Sequence, residues 1–157
     1  MQSARLANFE DLEELVFLRE QAFEDFNSKR GGSEYLAFEA LSNFRHFETL
    51  KKAIDDSHYS VWVGIWDSYT VGYALVSYKT LEDNTNWGII DEVYIQPAAR
   101  EVGVGEALLS KVYSWCKQNG CKSIDAFALP GDRLTKNFFE SFGFTARLIV
   151  LNHHLEV

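Results

Sequence analysis

One stretch decides the fold of this chain: Gln96-Pro97-Ala98-Ala99-Arg100-Glu101-Val102-Gly103-Val104-Gly105. It follows an apolar run, Trp87–Ile95, that has the composition of a β-strand. Pro97 ends this strand because a proline nitrogen cannot donate a hydrogen bond to a ladder. The residues after Gly103 place apolar side chains at helical spacing. The sequence therefore predicts a strand, a tight turn and a helix in direct succession.

A helix that begins behind glycines is suited to binding phosphate. The N–H groups of its first turn have no acceptor within the helix, and the helix dipole adds partial positive charge there. Gly103 and Gly105 are expected to let a ligand come close to the backbone. Two glycines before a helix are equally compatible with a plain turn and a close helix–sheet contact, and both interpretations stay open at this point.

Two other phosphate-binding loops do not fit the segment. A P-loop needs Lys followed by Ser or Thr after its last glycine, whereas Glu106 and Ala107 follow Gly105. A dinucleotide-binding fingerprint needs a third glycine or alanine where this chain has Leu108. About 50 residues follow the motif, too few for the remaining strands of a doubly wound sheet.

Composition and charge restrict the class of protein. The chain has 157 residues, of which 46% are hydrophobic, so we expect one globular domain spanning residues 1–157. The formal charge of −8 argues against nucleic acid as a partner, because broad nucleic-acid binding needs a positive surface. The longest apolar runs are far shorter than the roughly 20 residues of a membrane span, so no membrane partner is expected.

Cysteine usage and the start of the sequence indicate a cytoplasmic protein without a metal. Cys116 and Cys121 have neither the spacing of a zinc site nor the density of a disulfide framework. The first residues show no apolar segment behind a basic one, as a secretory signal would. We therefore predict reduced cysteines, no metal and a cytoplasmic location.

The pattern of apolar residues predicts an α/β (α+β) fold with a mixed, mostly antiparallel sheet flanked by helices. The predicted elements are a strand at Ala4–Leu6, a helix ending at Asn27, a helical segment from Glu34 to about Asp56, a hairpin from Tyr59, the strand Trp87–Ile95, a helix from Gly103, a strand Lys122–Leu129, a helix Thr135–Phe142 and one or two closing strands in Phe144–Leu155.

The stretch from Asp91 to Phe144 resembles the acyl-CoA-binding half of the GNAT N-acetyltransferase superfamily. The resemblance rests on three segments, namely Ile95-Gln96-Pro97, Arg100-Glu101-Val102-Gly103-Val104-Gly105 and Lys136-Asn137-Phe138-Phe139-Glu140-Ser141-Phe142-Gly143-Phe144. It implies the GNAT acyl-CoA N-acyltransferase fold and an enzyme that transfers an acetyl group from acetyl-CoA to a primary amine. The acceptor would be a small-molecule or a protein amine, and a homodimer is possible because dimers are common in the family.

The resemblance also implies where acetyl-CoA binds. The strand before Pro97 would splay from its neighbour, so that pantetheine pairs with its backbone, and the pyrophosphate would lie on N–H groups of the following turn. The implied cofactor-binding residues are Val93, Tyr94, Ile95, Arg100, Glu101, Val102, Gly103, Val104 and Gly105.

Direct attack by the amine requires a base. A lysine-like amine has a pKa near 10.4, so a carboxylate near the thioester is expected, and Asp91 and Glu92 are the candidates. Side chains alternate along a strand, which predicts that the two point to opposite faces. Glu92 is the preferred base because it would share a face with Tyr94.

Two further features bear on catalysis and on the acceptor. Phe139 stands where many relatives have a tyrosine that protonates the leaving thiolate, so a CoA-binding sensor with little catalysis is the alternative function. Seven acidic residues lie between Glu10 and Asp25 and would attract a cationic acceptor. Aromatic residues that could line its pocket are Phe23, Phe26 and Tyr35.

Overall fold

The computed structural model describes residues 1–38 and 47–156, apart from the side chains of residues 36–38 and 47–49. The strands are β1 (Gln2–Leu6), β2 (Tyr59–Trp66), β3 (Tyr69–Thr80), β4 (Asn86–Ile95) and β5 (Cys121–Asp125). The helices are α1 (Leu12–Asn27), α2 (Gly32–Phe38), α3 (Phe47–Asp55), α4 (Val104–Gln118) and α5 (Arg133–Ser141).

The five strands form one sheet in the order β1-β2-β3-β4-β5. The pairs β1–β2, β2–β3 and β3–β4 are antiparallel, and the pair β4–β5 is parallel. A parallel neighbour needs a crossover, which α4 supplies between β4 and β5. The predicted fold class, a mixed and mostly antiparallel sheet with flanking helices, is confirmed.

Two hydrophobic cores cover the two faces of the sheet. On one face α4 packs through side chains such as Val104, Leu108 and Val112, each about 1% exposed. On the other face α1 packs through Leu15 and Leu18, together with residues of α3 and the inward side chains of β2 and β3. The helices α1 and α4 thus lie on opposite sides of β4, which carries both candidate carboxylates.

Some predicted boundaries differ from the structure. The predicted strand Lys122–Leu129 ends at Asp125, because the chain diverges from β4 beyond that residue. The helical segment expected from Glu34 to Asp56 contains α2 and α3, and part of it lies outside the described residues. The closing strands expected in Phe144–Leu155 are wrong, since residues 144–156 form no strand with any part of the described chain.

Candidate active site

A cleft opens where β4 and β5 separate. Their pairing runs from Asn86 with Cys121 to Ile89 with Asp125 and stops there. The rest of β4 keeps β3 on one side and faces the cleft on the other. A cavity of about 730 Å³ occupies this cleft and extends between α1, the start of α4 and α5. The splaying that the sequence resemblance implied is present in the structure.

The backbone of β4 presents alternate residues to the cleft. Gln96 N–H donates to the carbonyl of Val71 at 2.8 Å, and the register continues with Tyr94 opposite Tyr73. Because hydrogen-bonded and non-hydrogen-bonded pairs alternate in an antiparallel ladder, the Tyr94 backbone points to β3, and those of Val93 and Ile95 point to the cleft. Tyr94 therefore lines the cavity by its side chain and not, as expected, by its backbone.

The turn between β4 and α4 has the backbone shape of an anion cradle. Glu101 and Gly103 have positive φ angles of 70° and 91°. Such angles direct successive backbone N–H groups of a turn towards its concave side, where an anion can bind. The first helical hydrogen bond is from Ala107 N–H to the Gly103 carbonyl. The N–H groups of residues 104–106 therefore have no acceptor within the helix. Arg100 donates from Nε to the Ile95 carbonyl at 2.9 Å, which holds its guanidinium beside the cleft.

The remaining residues of the turn contribute to packing as well. Val104 is buried in the core, and Val102 packs against it, so only their backbones can serve a ligand. A Cβ on Gly105 would lie 2.7 Å from Phe138 Cε1 and 3.1 Å from Ile95 Cδ1. The structure therefore gives Gly105 a role in the close packing of α4 against α5, and Gly105 also lines the cavity.

A β-bulge places both candidate carboxylates on the same face of β4. Leu75 pairs with Glu92 and the next residue pairs with Ile90, so Asp91 has no partner of its own in β3. Ser77 Oγ donates to Asp91 Oδ2 at 2.7 Å. The expectation that the two carboxylates point to opposite faces is wrong, because the extra residue of the bulge breaks the alternation.

Glu92 forms a buried ion pair that the sequence did not indicate. Arg19 of α1 donates from Nε to Glu92 Oε1 at 3.0 Å and from Nη2 to the other carboxylate oxygen. The Tyr73 hydroxyl also donates to Oε1, at 2.8 Å. Burial and the Glu92 charge raise the pKa of Tyr73 well above its usual value. Three donated hydrogen bonds and the charge of Arg19 hold the Glu92 carboxylate in place.

Asp91 has the opposite electrostatic environment. Burial raises the pKa of Asp91 to about 6, and the nearby charge of Glu92 adds to this, although the hydrogen bond from Ser77 acts against it. Asp91 lines the cavity, as does Glu92. A carboxylate with a pKa near the working pH is ionised at pH 7 and still accepts a proton effectively, as a general base must.

The far end of the cavity is aromatic and acidic. Phe26 and Tyr35 lie 5.5 Å apart between ring centroids, and Phe127 lies 6.3 Å from Tyr35. Phe23, Phe26 and Tyr35 line the cavity as expected, whereas Phe127 was not anticipated because it was assigned to a strand. Among the described residues that line the cavity, eight carry carboxylates and three carry basic groups. The cavity therefore attracts cations.

One ion-pair network joins α1 to α5 across this end of the cavity. Lys29 Nζ lies 2.8 Å from Asp25 and 3.1 Å from Asp132. Burial opposes the charge of Lys29, but the two carboxylates keep its pKa above the usual value. Asp132 also caps α5 by accepting from Thr135 N–H at 3.1 Å. Its carboxylate is thus held by structural partners.

Phe139 occupies the position at which the family resemblance implied a tyrosine. Phe139 is 5% exposed, lines the cavity and packs against Phe138 and Phe144. The nearest tyrosines with side chains in the cavity are Tyr73, whose hydroxyl is bound to Glu92, and Tyr94. The structure therefore offers Tyr94, and not Phe139, for any proton transfer from a side-chain hydroxyl.

The described residues contain neither a grouping of metal ligands nor a helix that could span a membrane. Over residues 1–38 and 47–156, no three His, Cys, Asp or Glu side chains are grouped as they would be around a metal ion. In the same part of the chain, no helix has both the length and the apolar character needed to cross a bilayer.

Known proteins resemble this chain in sequence and in fold. An aminoglycoside N(6')-acetyltransferase type 1 from Stenotrophomonas maltophilia is 30% identical over 82 residues, which are 49% of this chain and 54% of that protein. This chain thus spans about half the length of that curated relative. The structure of AAC(6')-Iy with the bisubstrate analogue CoA-S-monomethyl-acetylneamine is 17% identical, with a TM-score of 0.74 over 100% of this chain and 99% of that one. A predicted acetyltransferase from Clostridium acetobutylicum, solved with acetyl-CoA, is 17% identical, with a TM-score of 0.73 over 99% and 100%.

The match to a family model is more extensive. Residues 16–144 match the model described as the Acetyltransferase (GNAT) family, which is more than half of the chain. The predicted family is confirmed by this match, and the predicted fold is confirmed by the structural likeness. The chain belongs to the GNAT family of acetyltransferases.

Proposed function

We propose that this protein transfers the acetyl group of acetyl-CoA to a primary amine of a small molecule that carries several amino groups. The observation that carries the proposal is the single cavity that joins the turn at Glu101–Gly105, the free edge of β4 and an acidic, aromatic wall. A donor and an acceptor that enter it from its two ends meet at the β4 bulge. Both substrates are then bound together, and the amine attacks the thioester directly.

Backbone groups hold the donor in this proposal. The pyrophosphate lies on the N–H groups of the turn from Glu101 to Gly105, and the pantetheine arm runs along the cleft side of Val93 and Ile95. Because most of the contacts to the donor come from backbone N–H groups, an acidic protein can bind this anionic cosubstrate. The Val93 N–H, which faces the cleft next to the bulge, stabilises the oxyanion that forms on the thioester carbonyl.

Asp91 is the base in this proposal, and Glu92 is a positioning residue. The pKa of Asp91, about 6, suits removal of a proton from an amine, directly or through one water molecule. Glu92 is held by Arg19 and Tyr73 and fixes the shape of the bulge. The leaving thiolate needs no strong acid, because a thiol has a pKa of about 8.5.

An aminoglycoside-like compound fits the acceptor end. One curated relative and several structural relatives are aminoglycoside acetyltransferases, and aminoglycosides carry several amines. The carboxylates Glu20, Glu24 and Asp25 lie on the cavity wall beside stacked aromatic rings, which favours a polycation with sugar-like faces. A cavity of about 730 Å³ is within the range of small-molecule sites and is small for a folded protein acceptor. A cytoplasmic location and one domain over residues 1–157 stay predictions.

A CoA-binding sensor is the second candidate function, and Phe139 favours it. In a sensor the cavity binds CoA, but no amine is acetylated. Thiol release measured with a panel of aminoglycosides, polyamines and lysine peptides separates the two functions. Turnover with aminoglycosides supports the proposal, turnover only with lysine peptides refutes the small-molecule acceptor, and binding of CoA without any turnover supports the sensor.

The donor site is tested by titrating CoA into two glycine variants. Gly103→Glu places a carboxylate at the phosphate cradle and is expected to weaken CoA binding at least about 100-fold. Gly120→Glu is the control for the cost of a side chain at a positive φ, of 68°, and it lies at the other end of α4; its surroundings are open, whereas a Cβ on Gly103 would lie 3.1 Å from Gln2 Nε2. Unchanged binding of CoA by Gly103→Glu, or equal losses in both variants, would refute this location of the site.

A further inference from the structure

Lys29 is the basic residue at the acceptor end of the cavity. Three of the described residues that line the cavity are basic. Of these, Arg19 is paired with Glu92 at the β4 bulge, and Arg100 is held beside the turn that precedes α4. Lys29 lies just beyond the end of α1, in a wall that is otherwise acidic. A positive charge at this place repels a cationic acceptor and therefore bears on which acceptors bind.

The Lys29 ammonium joins carboxylates from two different parts of the cavity wall. Its Nζ donates to Asp25 Oδ2 at 2.8 Å and to Asp132 Oδ2 at 3.1 Å. Asp25 lies one turn earlier on α1, whereas Asp132 is the N-cap of α5. All three side chains line the cavity. An ammonium group is thus already held on the cavity wall, at hydrogen-bonding distance from two carboxylates.

Asp132 keeps its orientation independently of Lys29. Its Oδ1 accepts from Thr135 N–H at 3.1 Å, and its Oδ2 accepts from the Thr135 hydroxyl at 2.7 Å. Burial opposes the ionisation of Asp132, but hydrogen bonds from Thr135 and Lys29 outweigh it and lower the pKa of Asp132 below its usual value. This fixed and ionised carboxylate can accept a hydrogen bond from any ammonium group that takes the place of Lys29.

The turn that carries Lys29 is held by backbone hydrogen bonds. Lys29 N–H donates to the Phe26 carbonyl at 3.2 Å, and Gly32 N–H donates to the Lys29 carbonyl at 3.0 Å. These bonds do not involve the Lys29 side chain. The side chain can therefore leave the two carboxylates while the turn keeps its conformation.

The ion pairs of Lys29 can be exchanged at little cost. The side chains of Lys29 and Asp25 are 28% and 39% exposed, so water screens their attraction. Ion pairs of this kind contribute little net stability. A lysine carries its compact charge on a flexible four-carbon stem, which can turn out into solvent. An incoming ammonium group would then gain the same contacts that Lys29 gives up.

We propose that Lys29 determines acceptor specificity, because its ammonium occupies the position that a second ammonium group of the acceptor takes on binding. This proposal rests on the proposed transfer to a small-molecule amine. Lys29 belongs to the same chain, so it competes at a high effective concentration and lowers the apparent affinity of any ligand that must displace it. An acceptor with a single ammonium group, placed at the β4 bulge for reaction, leaves Lys29 where it is. An acceptor with several ammonium groups has to displace it.

Calorimetric titration of two amines into the full chain with bound CoA tests the proposal. Lys29→Met removes the charge and keeps an apolar stem of similar length. We expect this variant to bind neamine, which carries several ammonium groups, about 10-fold more tightly than the wild type, and glucosamine, which carries one, within about twofold. Lys29→Gln, which is also uncharged, should show the same selective gain.

Arg30→Met is the matched control. Arg30 is the exposed neighbour of Lys29 and does not line the cavity, so this variant loses the same charge from the same turn. Its affinity for neamine should stay within about twofold of the wild type. Asp25→Asn supplies a double-mutant cycle, because the gain from Lys29→Met should shrink to less than about threefold when one of the two carboxylates has lost its charge.

Several results would overturn this role of Lys29. They are an equal gain for neamine and glucosamine in Lys29→Met, no gain for neamine, weaker binding of neamine, and an equal gain in Arg30→Met. CoA affinity within about twofold of the wild type shows that each variant keeps its fold.

The proposed function fails by a different result. Wild-type protein that binds neamine but releases no thiol from acetyl-CoA with any amine would refute acetyl transfer. The binding titrations would still decide the role of Lys29, because they do not depend on turnover. Where neamine is acetylated, Lys29→Met should lower its KM and leave kcat within about twofold, which separates a role in specificity from one in catalysis.

Discussion

Replacing Asp91 with asparagine is expected to stabilise the fold at neutral pH and to remove most of the acetyltransferase activity. The carboxylate lies in a buried position beside Glu92, and this environment disfavours its ionised form. Asparagine has nearly the same shape and can still accept the hydrogen bond from Ser77, but it carries no charge. The variant therefore removes an electrostatic cost and the catalytic base in one step.

The magnitude follows from the shift in pKa. The pKa of Asp91 rises from its usual 3.8 to about 6, a change of about two units, and each unit corresponds to about 1.4 kcal/mol. The charged aspartate thus costs about 3 kcal/mol of unfolding free energy at pH 7. For a chain of this size, removal of that cost should raise Tm by roughly 5–10 °C. Loss of a general base should lower kcat by about 100-fold or more.

The difference in stability between Asp91→Asn and the wild type depends on pH. Below pH 3.8, Asp91 is neutral in both the folded and the unfolded protein, so it costs nothing. As the pH rises towards 6, the unfolded protein releases this proton first and the folded protein loses stability relative to it. The advantage of Asp91→Asn should therefore be small near pH 4, grow up to about pH 6 and stay constant above. Wild-type activity should fall about fivefold from pH 6 to pH 5, since only the ionised base is active.

Thermal unfolding followed by circular dichroism between pH 4 and pH 8 measures the stability difference, and thiol release measures the rate. Glu82→Gln is the control, because Glu82 is an exposed carboxylate of the β3–β4 loop. A variant Asp91→Asn that is no more stable than the wild type at pH 7 would show that this carboxylate is not disfavoured in the fold. Undiminished turnover by the same variant would remove Asp91 from the mechanism.

Three other substitutions test neighbouring parts of the site. Glu92→Gln should destabilise the protein by about 3–5 kcal/mol in urea unfolding, because it removes the carboxylate charge that faces the buried Arg19 guanidinium; a neutral effect would contradict the buried ion pair. Gly105→Ala should destabilise it by about 1–3 kcal/mol, because the added methyl group meets Phe138, and a second change of Phe138 to leucine should restore part of the loss in the same assay. Asp132→Ala should cost about 1–2 kcal/mol through the lost N-cap of α5, while CoA affinity measured by calorimetry stays within about threefold; a larger loss of affinity would give this carboxylate a role in binding.

The sequence was sufficient to predict the strand end, turn and helix start on which the proposed donor site is built. Pro97 and the glycines of the turn specify a strand end, a turn and a helix start through local rules of backbone geometry, and these rules do not depend on the rest of the fold. The spacing of apolar residues likewise predicted α1, the hairpin and α4, because an amphipathic period is a local property. The family and the acyl donor followed from these same residues.

The catalytic arrangement could not be predicted in this way. The bulge at Asp91 leaves no local signal, since it depends on how β3 and β4 pair, and it places on one face the two carboxylates that were expected on opposite faces. Arg19 is separated from Glu92 by 73 positions and looks in the sequence like one surface charge on an acidic helix. Phe127 reached the acceptor wall because β5 ends early and diverges from β4.

The sequence by itself determined most of the elements, their order, the family and the turn between β4 and α4, because each of these depends on contacts between residues that are close in the chain. Only the tertiary structure decided which carboxylate is neutralised by an arginine, which one keeps a raised pKa, and that Gly105 is needed for packing against α5. Those properties depend on burial and on charges brought together from distant segments, and the pairing of β3 with β4 and the packing of α1 and α5 create that environment.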